Sequence, residues 1–440
     1  MNNILQAREL HTSATWHSHA QKSPTGAIAK RKPDIFLLDT QKVPKSKTGT
    51  IHWRDVLVVG ELKQSDANNS KADMQLASYA HEVFGAQMNR RFVFGITICG
   101  FRMRVWLFDR AGGISSQTFN INDDPKAFFN VIIGFATIYH DDRGALGYDM
   151  TISSSRNGIG AITVGSKGFI LDEIVYSHPV VSGRATICWK AHKQGEPGTV
   201  YAIKDSWQLS TRGEEGSMLK EVTEALKESW DDPSQPLVAQ HYRHEDVHIN
   251  DMIDNTNNIR KNVKPASPLQ APVNRIHTRM VISTFGRPIF EFATLKELVC
   301  ALRDAIKGHW LLHEKAKVLH RDISLYNIII AEHGQGCIIN LNYAINIDTA
   351  RKPQSSHRTR TPPFITINVL RGGKEYGTFT HRYRDDMESF FYDFLWICCM
   401  WESSGEERKE QPLKLWMEGD LTVIARNKAV MMIDKFEFER

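Results

Sequence analysis

The residues His-Arg-Asp at 320–322, followed five positions later by Asn327, leave few folds open to this chain. The spacing places Asp322 and Asn327 on one loop, where a carboxylate and an amide come to one place. A carboxylate held in this way accepts a proton, and an amide oxygen is a ligand for a hard divalent cation. We expect Asp322 and Asn327 to belong to a catalytic site.

Two further segments stand before and after this loop in the order found in protein kinases. Upstream, Tyr-Ala-Ile-Lys at 201–204 matches the strand whose lysine holds the α- and β-phosphates of a nucleotide. The next helix should supply a glutamate that pairs with Lys204, for which Glu215 fits best and Glu221 is the alternative. Downstream, Asp386 suits the aspartate that opens the helix beneath the catalytic loop.

The residues of such a loop have separate expected roles. Asp322 accepts or orients the proton of an attacking hydroxyl, and Asn327 gives an oxygen to a magnesium ion on the nucleotide phosphates. His320 and Arg321 are expected to hold the loop in place.

The chain resembles the fungal-type protein kinase family, a branch of the protein kinase-like superfamily, in four ordered segments: YAIKDSW, HRDISLYNIII, RTRTPPFITINVL and DDMESFFYDFLWIC. The N-terminal segments RKPDIFLLD, VLVVGELKQS and RRFVFGITICGFRMRVWLFDR resemble the leading part of the same family. The resemblance implies a bilobal kinase fold that uses ATP with magnesium and transfers a phosphoryl group to Ser or Thr of a protein substrate. It assigns the corresponding roles to Lys204, Glu215, Asp322 and Asn327.

Several positions depart from the kinase pattern where the chemistry is sensitive. Asn340 stands thirteen residues after Asn327, where kinases place the metal-binding aspartate of Asp-Phe-Gly. The two amides would form the metal site together, but an amide brings no charge, and losing a metal carboxylate costs roughly 2–4 kcal/mol of transition-state stabilisation. Gly183 is the single glycine where Gly-x-Gly-x-x-Gly usually approaches the phosphates. The alternative interpretation is a pseudokinase, a scaffold that binds nucleotide or partners without catalysis.

The N-terminal part contains a second group of polar residues at strand ends. Asp34 begins one apolar run, and Glu61 and Lys63 end the next, which is the Pro-Asp…Glu-x-Lys pattern of restriction-endonuclease-like nucleases. Gln75 and Tyr79 follow at the Gln-x-x-x-Tyr spacing found in the branch related to exonuclease subunits. Such acids bind one or two magnesium ions while the lysine stabilises developing charge at a phosphodiester. The pattern predicts a nuclease-like fold, used either as a metal-dependent nuclease or as a platform for nucleic acid or protein.

Apolar runs and helical periods predict an α+β protein, in which a smaller α/β restriction-endonuclease-like domain precedes a bilobal protein-kinase-like domain. Glycine and serine accumulate between the two and mark a linker. Apolar residues from Leu295 to Trp310 recur at helical spacing before the catalytic loop. The alternating runs FVFGITICG and MRVWLF in the N-terminal part predict an antiparallel pair of strands. The predicted boundaries are 1–152 for the N-terminal domain, 153–168 for the linker, 169–440 for the kinase-like domain, about 169–285 for its N-lobe with a polar insertion at about 231–272, and about 286–440 for its C-lobe.

Composition excludes several classes of protein. In 440 residues, 55 Lys and Arg against 50 Asp and Glu give a net charge of +5, a mild excess that allows a nucleic acid partner without requiring one. The six cysteines are scattered without a Cys-x-x-Cys pair, so neither a disulfide framework nor a zinc site is predicted. The longest apolar run, 390–401, contains Asp393 and is too short to span a bilayer. We expect an intracellular protein, cytoplasmic or nuclear, without a membrane partner.

Overall fold

The computed structural model describes residues 13–18, 23–43, 49–154, 160–211, 213–232, 234–263, 273–348, 361–375, 380–403 and 406–433. The chain forms two compact units. The first comprises Met1–Thr199, Ile203–Arg212 and Glu245–Met280, and the second comprises Val200–Ala202, Gly213–His244 and Val281–Arg440.

The strands have these bounds: β1 Ala14–Ser18, β2 Ile35–Asp39, β3 Val56–Lys63, β4 Val93–Cys99, β5 Arg102–Asp109, β6 Gly112–Ser115, β7 Phe119–Asn120, β8 Ile152–Ser154, β9 Gly160–Val164, β10 Lys167–Ser177, β11 Ile187–Lys193, β12 Glu196–Leu209, β13 His241–Asp246, β14 His248–Ile249, β15 Met252–Ile253, β16 Arg275–Ile282, β17 Gly286–Pro288, β18 Val318–Leu319, β19 Ile328–Ala331, β20 Gly336–Ile338, β21 Ile345–Asn346, β22 Trp401–Ser403 and β23 Glu406–Glu407. The helices have these bounds: α1 Asn69–Ala86, α2 Pro125–Asp141, α3 Glu215–Leu226, α4 Thr256–Ile259, α5 Leu295–Glu314, α6 Ile367–Glu375, α7 Tyr383–Met400 and α8 Leu421–Ile433.

The first unit contains a sheet with strand order β1-β2-β3-β4-β5-β6, to which β7 adds by pairing with β5. β3 and β4 are parallel, and α1 is the crossover that parallel neighbours require. β4 and β5 form the antiparallel pair predicted from the sequence. α1 packs on one face of the sheet and α2 on the other. Because β2 and β3 are antiparallel, the start of β2 and the end of β3 lie at the same edge.

A second sheet of this unit has the order β16-β12-β11-β10-β9-β8. β13, on which the chain passes from the second unit to the first, pairs with β16 at the edge. β12 carries Lys204, and the turn 178–186 between β10 and β11 carries Gly183. The predicted lysine strand and glycine turn therefore belong to one sheet.

In the second unit, α5 packs against β20 of the small sheet β17-β19-β20 and against α7. Gly336 lies where β20 meets α5, and a Cβ at this position would lie 1.9 Å from Ala301 O, so only glycine allows the approach. α6 and α8 share a separate apolar cluster. The catalytic loop 320–327 follows α5 and β18 and leads into β19.

The structure confirms the α+β class, with 35% helix and 33% strand. It also confirms the long helix before the catalytic loop, which is α5. We call residues 1–152, the predicted N-terminal domain, the N-terminal segment. The first compact unit contains residues 169–199 together with this segment. The domain boundaries and the nuclease-like identity of the segment stay predictions. Among the described helices, none combines the length and the apolar character needed to cross a membrane.

The segment 231–272 has more secondary structure than the polar insertion predicted from the sequence. Its described part contains β13, β14, β15 and α4, and Asp254 within it is buried. The buried Asp254 bonds His277, a partner outside the segment, and whether the segment is an insertion stays a prediction.

Candidate active site

The catalytic loop is held by hydrogen bonds at its first residues. The buried His320 donates through Nε2 to Ile339 O at 3.1 Å, and its Nδ1 accepts from Asp322 N at 3.3 Å. Arg321 has φ +67°, in the left-handed region that a residue with a Cβ occupies at a cost. Its backbone N–H donates to Asp386 Oδ2 at 3.0 Å, and this bond holds the strained residue in place. The backbone that carries the side chain of Asp322 is therefore held in place.

Asp386 lies in the first turn of α7 and is fully buried. Its Oδ2 lies 2.8 Å from Nε2 of His309 on α5, and its Oδ1 lies 2.6 Å from Nε2 of His381. Burial raises the pKa of this carboxyl, but the two histidines outweigh burial and hold the pKa well below its usual range. An ionised carboxylate beneath the loop is therefore available to accept the N–H of Arg321.

Hydrogen bonds between side-chain amides connect the catalytic loop to the Asp-Phe-Gly position. Asn327 Nδ2 donates to Asp322 O at 2.7 Å and to Asp322 Oδ2 at 3.2 Å. Asn340 Nδ2 donates to Asn327 Oδ1 at 2.8 Å, and Asn342 Nδ2 donates to Asn340 Oδ1 at 2.7 Å. We call these four residues the amide chain. It brings together Asp322, Asn327 and Asn340, which the sequence assigned to one site.

The amide chain is a poor match to magnesium. Mg²⁺ favours carboxylate and phosphate oxygens. Asp322 offers the one carboxylate of the amide chain, and the amide oxygens of Asn327 and Asn340 already accept N–H groups. The residues present do not by themselves form a magnesium site.

A small, half-open pocket lies beside the catalytic loop, and its lining is Arg321, Asp322, Ile323, Ser324, Thr361, Phe364, Ile365 and Ser389. The ring of Phe364 packs edge-on against Trp396 of α7, with centroids 5.6 Å apart, which fixes one wall. The pocket lies at the carboxylate that the sequence assigned to proton transfer.

Lys428 of α8 supports this wall from inside, although the sequence did not indicate it. Its Nζ donates to Pro363 O at 2.5 Å and to Ile365 O at 2.7 Å. The same ammonium lies 3.9 Å from the ring centre of Tyr392 and 4.9 Å from that of Trp416. Cations are attracted to aromatic faces at these distances. Lys428 therefore anchors the backbone that lines the pocket.

Asp393 is a second support that the sequence did not indicate. It lies two helical turns after Asp386 on α7, and its Oδ1 accepts from Leu325 N at 2.9 Å. Burial raises its pKa well above the usual value and the charge of Asp322 raises it further, whereas the Leu325 N–H and the charge of Lys428 lower it. Asp393 therefore holds the end of the catalytic loop through its bond to Leu325 N.

The residues predicted to contact nucleotide are divided between the two units. Lys204 is buried on β12, and Glu215 is the buried first residue of α3. Glu221, the alternative, is exposed on the same helix, which favours Glu215. The pairing of Lys204 with Glu215 stays a prediction. Gly183 has φ +145°, a conformation that glycine alone adopts freely.

Four of the predicted nuclease-like residues come together at one edge of the first sheet. Lys63 Nζ pairs with Glu61 Oε1, and the Tyr79 hydroxyl donates to Glu61 Oε2 at 2.9 Å. Asp34 Oδ2 accepts from Leu62 N at 2.8 Å. Burial raises the pKa of Glu61 and the charge of Asp34 raises it further, whereas the bonds from Lys63 and Tyr79 lower it.

Gln75, the fifth of these residues, lies one turn before Tyr79 on α1. Its Oε1 is buried without a hydrogen-bond partner in the described part of the chain. Both oxygens of Glu61 are engaged by Lys63 and Tyr79, so the carboxylate that a metal would need is already satisfied. The use of this group stays a prediction.

The first unit also contains a buried group of charges that the sequence did not indicate. Asp149, Asp205 and His277 have ligand atoms close enough to hold a metal ion. However, Arg279 donates through Nε to Asp205 Oδ2 at 2.8 Å and through Nη2 to Asp149 Oδ2. Its guanidinium takes the place of a cation between the two carboxylates, so the group does not fit a metal. We call the full set the Arg279 cluster: Arg91, Asp149, Asp205, Asp254, His277 and Arg279.

The residues that the sequence did not indicate have partners far away along the chain. Lys428 bonds carbonyl groups 63 and 65 residues away, and Arg279 bonds a carboxylate 130 residues away. Spacing patterns report neighbours within a helix or strand, so they do not detect such pairs. The available signal was a charged residue inside an apolar helix, as with Lys428 in LTVIARNKAVMMI.

Comparison with known proteins agrees with the geometry of the catalytic loop. A family model described as fungal protein kinase matches residues 32–398, a range that includes the N-terminal acids, the lysine strand, the catalytic loop and most of α7. No curated protein matches the chain. The match extends over most of the sequence, and the chain therefore belongs to the fungal protein kinase family.

Proposed function

We propose that this protein transfers the γ-phosphoryl group of ATP to serine or threonine hydroxyl groups of a protein. Membership of the family supports a kinase-like function, and such functions generally use ATP and a divalent metal. The observation that carries the proposal further is the assembled catalytic loop. Asp322 lines the pocket, Asn327 donates to its carboxylate, and Asp386 holds the backbone beneath it.

In the proposed reaction, Asp322 accepts the proton as the substrate O–H bond breaks. The hydroxyl oxygen forms a bond to the γ-phosphorus, while the bond from that phosphorus to the β,γ-bridging oxygen breaks and its electron pair leaves on ADP. Lys204 holds the α- and β-phosphates, and Glu215 orients Lys204. Asn327 keeps the carboxylate of Asp322 in position through its Nδ2 hydrogen bond.

The wall of the pocket is consistent with a protein as the substrate. Thr361, Phe364 and Ile365 belong to a segment held by Lys428, and a fixed backbone beside Asp322 can orient a short acceptor side chain. Serine and threonine are short enough to bring a hydroxyl to such a carboxylate. The specificity for these two residues follows from the family resemblance.

The test uses the full chain with radiolabelled ATP, magnesium and a peptide library that presents Ser, Thr or Tyr acceptors. We expect label on Ser and Thr peptides. Asp322→Asn should lower the rate about 10²–10⁴-fold while changing nucleotide affinity little, because a general base acts in the transition state. Lys204→Ala should weaken nucleotide binding directly.

The exposed Asp348→Asn, which makes the same chemical change outside the site, is the matched control and should keep full activity. Equal loss of nucleotide affinity in Asp322→Asn and Lys204→Ala would contradict the assigned roles.

A pseudokinase is the second candidate, and the amide chain is the observation that favours it. Asn340 brings no negative charge, and hydrogen bonds satisfy its amide oxygen. A pseudokinase would gain thermal stability from ATP, about 2.7 kcal/mol at a concentration one hundred times Kd, without transferring label. The absence of any stabilisation by millimolar ATP would exclude both the kinase and a pseudokinase that depends on nucleotide.

A metal-dependent nuclease in the N-terminal segment has weaker support. Asp34 and Glu61 lie at one sheet edge as that function requires, but Lys63 and Tyr79 engage Glu61. Cleavage of single- or double-stranded DNA or RNA in manganese, lost in Glu61→Gln, would establish this activity.

A further inference from the structure

The turn 178–186, which carries Gly183, is bound to the N-terminal segment instead of standing free. His81 Nε2 on α1 lies 3.0 Å from Pro179 O. Arg110 Nη1 donates to Val180 O at 2.5 Å, and Gly183 N donates to Arg110 O at 3.0 Å. Three hydrogen bonds therefore fix the turn to residues that lie 70 to 98 positions earlier along the chain.

Arg110 is the centre of this attachment. It is 4% exposed, its Nη2 donates to Arg90 O at 3.0 Å, and its guanidinium lies 3.8 Å from the ring centre of Phe84. Burial lowers its pKa to about 9, while the charges of Asp205 and Asp109 raise it. Burying a guanidinium costs free energy unless it is hydrogen-bonded, and Arg110 meets this cost through its carbonyl partners. Replacing Arg110 would remove its side-chain bond to the turn.

A separate set of bonds fixes the strand of Lys204. Asp205 is the next residue on β12, and neighbours on a strand point to opposite faces of the sheet. Arg279 joins Asp205 to Asp149, and donates through Nη1 to Thr151 Oγ1 at 2.6 Å. The face of β12 opposite to Lys204 is therefore tied to the end of the N-terminal segment.

A second connection leads from the same strand into the N-terminal segment. Nε2 of His277 lies 2.7 Å from Asp205 Oδ1, and Nδ1 of the same ring lies 2.9 Å from Asp254 Oδ2. Arg91 donates through Nε to Asp254 Oδ2 at 2.8 Å and through Nη2 to Asp254 Oδ1 at 2.5 Å. Two buried paths therefore lead from Asp205 to the N-terminal segment.

We propose that the N-terminal segment positions both nucleotide-contacting elements of this kinase, with Arg110 fixing the turn of Gly183 and Asp149, through Arg279 and Asp205, fixing the strand of Lys204. The inference rests on the proposed function, because the roles of Gly183 and Lys204 come from it. The N-terminal segment is then a working part of the nucleotide site. Fixing the bound geometry in advance increases affinity because the protein does not have to be ordered when the ligand binds.

The test compares variants of the full chain by calorimetric titration with ATP and magnesium, at a temperature where each variant is folded by near-UV circular dichroism. Arg110→Met should raise the Kd for ATP about five- to tenfold, within the usual range of coupling between sites. Arg110→Lys keeps one donor and should give an intermediate Kd. Asp149→Asn keeps an acceptor but loses the charge, and should raise Kd less than Arg110→Met.

Arg90→Met is the matched control. Arg90 is also a buried arginine of the N-terminal segment, and its side chain bonds Leu57 O and covers Tyr148. Its contact with Arg110 is through the backbone O, which the substitution keeps. We expect it to lower the melting temperature as Arg110→Met does, with Kd unchanged within twofold. Hydrogen exchange of a peptide covering 178–186, without nucleotide, should accelerate in Arg110→Met and not in Arg90→Met.

The outcomes separate this inference from the proposed function. If the wild-type chain does not bind ATP, the proposed function fails and this inference fails with it. If the wild type binds ATP and Arg110→Met binds equally well, only the positioning role is wrong. Equal changes of Kd in Arg110→Met and Arg90→Met would also overturn it, because they would show a general effect of stability.

Discussion

Two regions of the molecule look like cation sites, and they are built in opposite ways. The Arg279 cluster contains three carboxylates and three cationic side chains, so its charges balance within the chain. The amide chain at the catalytic loop has one carboxylate and three neutral amides. A cluster that supplies its own cation is structural, whereas a site that leaves a carboxylate facing a pocket depends on a ligand.

The pKa values of Asp205 and His277 reflect the balance of charges in the Arg279 cluster. Burial alone would raise the pKa of Asp205, but His277 and Arg279 outweigh it and hold that pKa well below the usual range. Burial would lower the pKa of His277, but Asp205 and Asp254 raise it to about 9. The charged forms in the Arg279 cluster are therefore stable at neutral pH without any ion from solution.

Removal of Arg279 should have the largest effect on folding. Arg279→Met leaves the carboxylates of Asp149 and Asp205 buried with one cation fewer, so we expect the free energy of unfolding to fall by about 3–5 kcal/mol. Urea denaturation measures this. Arg303→Met, which breaks a pair whose arginine is 70% exposed, is the control and should cost less than about 1 kcal/mol. Similar losses in the two variants would show that the cluster does not depend on its central cation.

The charge of His277 should make stability depend on pH. Its pKa in the folded protein is about 9 against an ordinary value of 6.5, so its contribution is fully present below pH 6.5 and is lost as the pH rises to about 9. The free energy of unfolding should fall by about 3 kcal/mol over this range relative to His277→Gln. Taking the difference of the two curves removes other groups, such as Lys428, whose pKa burial lowers to about 7. Parallel curves would contradict the assignment.

A restored acid at the amide chain should make it a better magnesium site. Asn340→Asp places a carboxylate beside the Asn327 amide, and we expect magnesium to increase ATP affinity about tenfold more than in the wild type. Calorimetric titration with and without magnesium measures the difference. Asn346→Asp adds the same charge on β21, outside the amide chain, and should leave the magnesium dependence as it is. If both variants respond alike, Asn340 does not face the metal position.

The N-terminal acids should show the smallest effect, because Lys63 already supplies a cation to Glu61. If Asp34 and Glu61 share a pocket, millimolar manganese should raise the free energy of unfolding by about 0.5–1 kcal/mol. Thermal denaturation with and without manganese measures this, and Asp34→Asn should remove the gain. An unchanged melting temperature in the wild type would leave Glu61 and Lys63 as a structural ion pair.

The sequence predicted the parts of the site that depend on short spacings. Asp322 and Asn327 lie five residues apart on one loop, and a hydrogen bond joins their side chains. The helix before the loop and the antiparallel pair β4 and β5 were also predicted, because their periods repeat within a few residues. The strands and the helix within 231–272 were not predicted, since residues such as Asp254 face inward toward partners that a local pattern does not contain.

By itself, the sequence determined which residues are proposed to carry the chemistry: Asp322 as proton acceptor, Lys204 as nucleotide lysine, and Asn340 where kinases have the metal-binding aspartate. Only the tertiary structure decided what these residues meet. It joined Asn340 to Asn327, tied the turn of Gly183 to Arg110, and put Arg279 between two acids that are otherwise a candidate metal site. The physical reason is distance along the chain: spacing fixes neighbours on one helix, strand or loop, whereas the pairing of buried charges depends on which elements pack together.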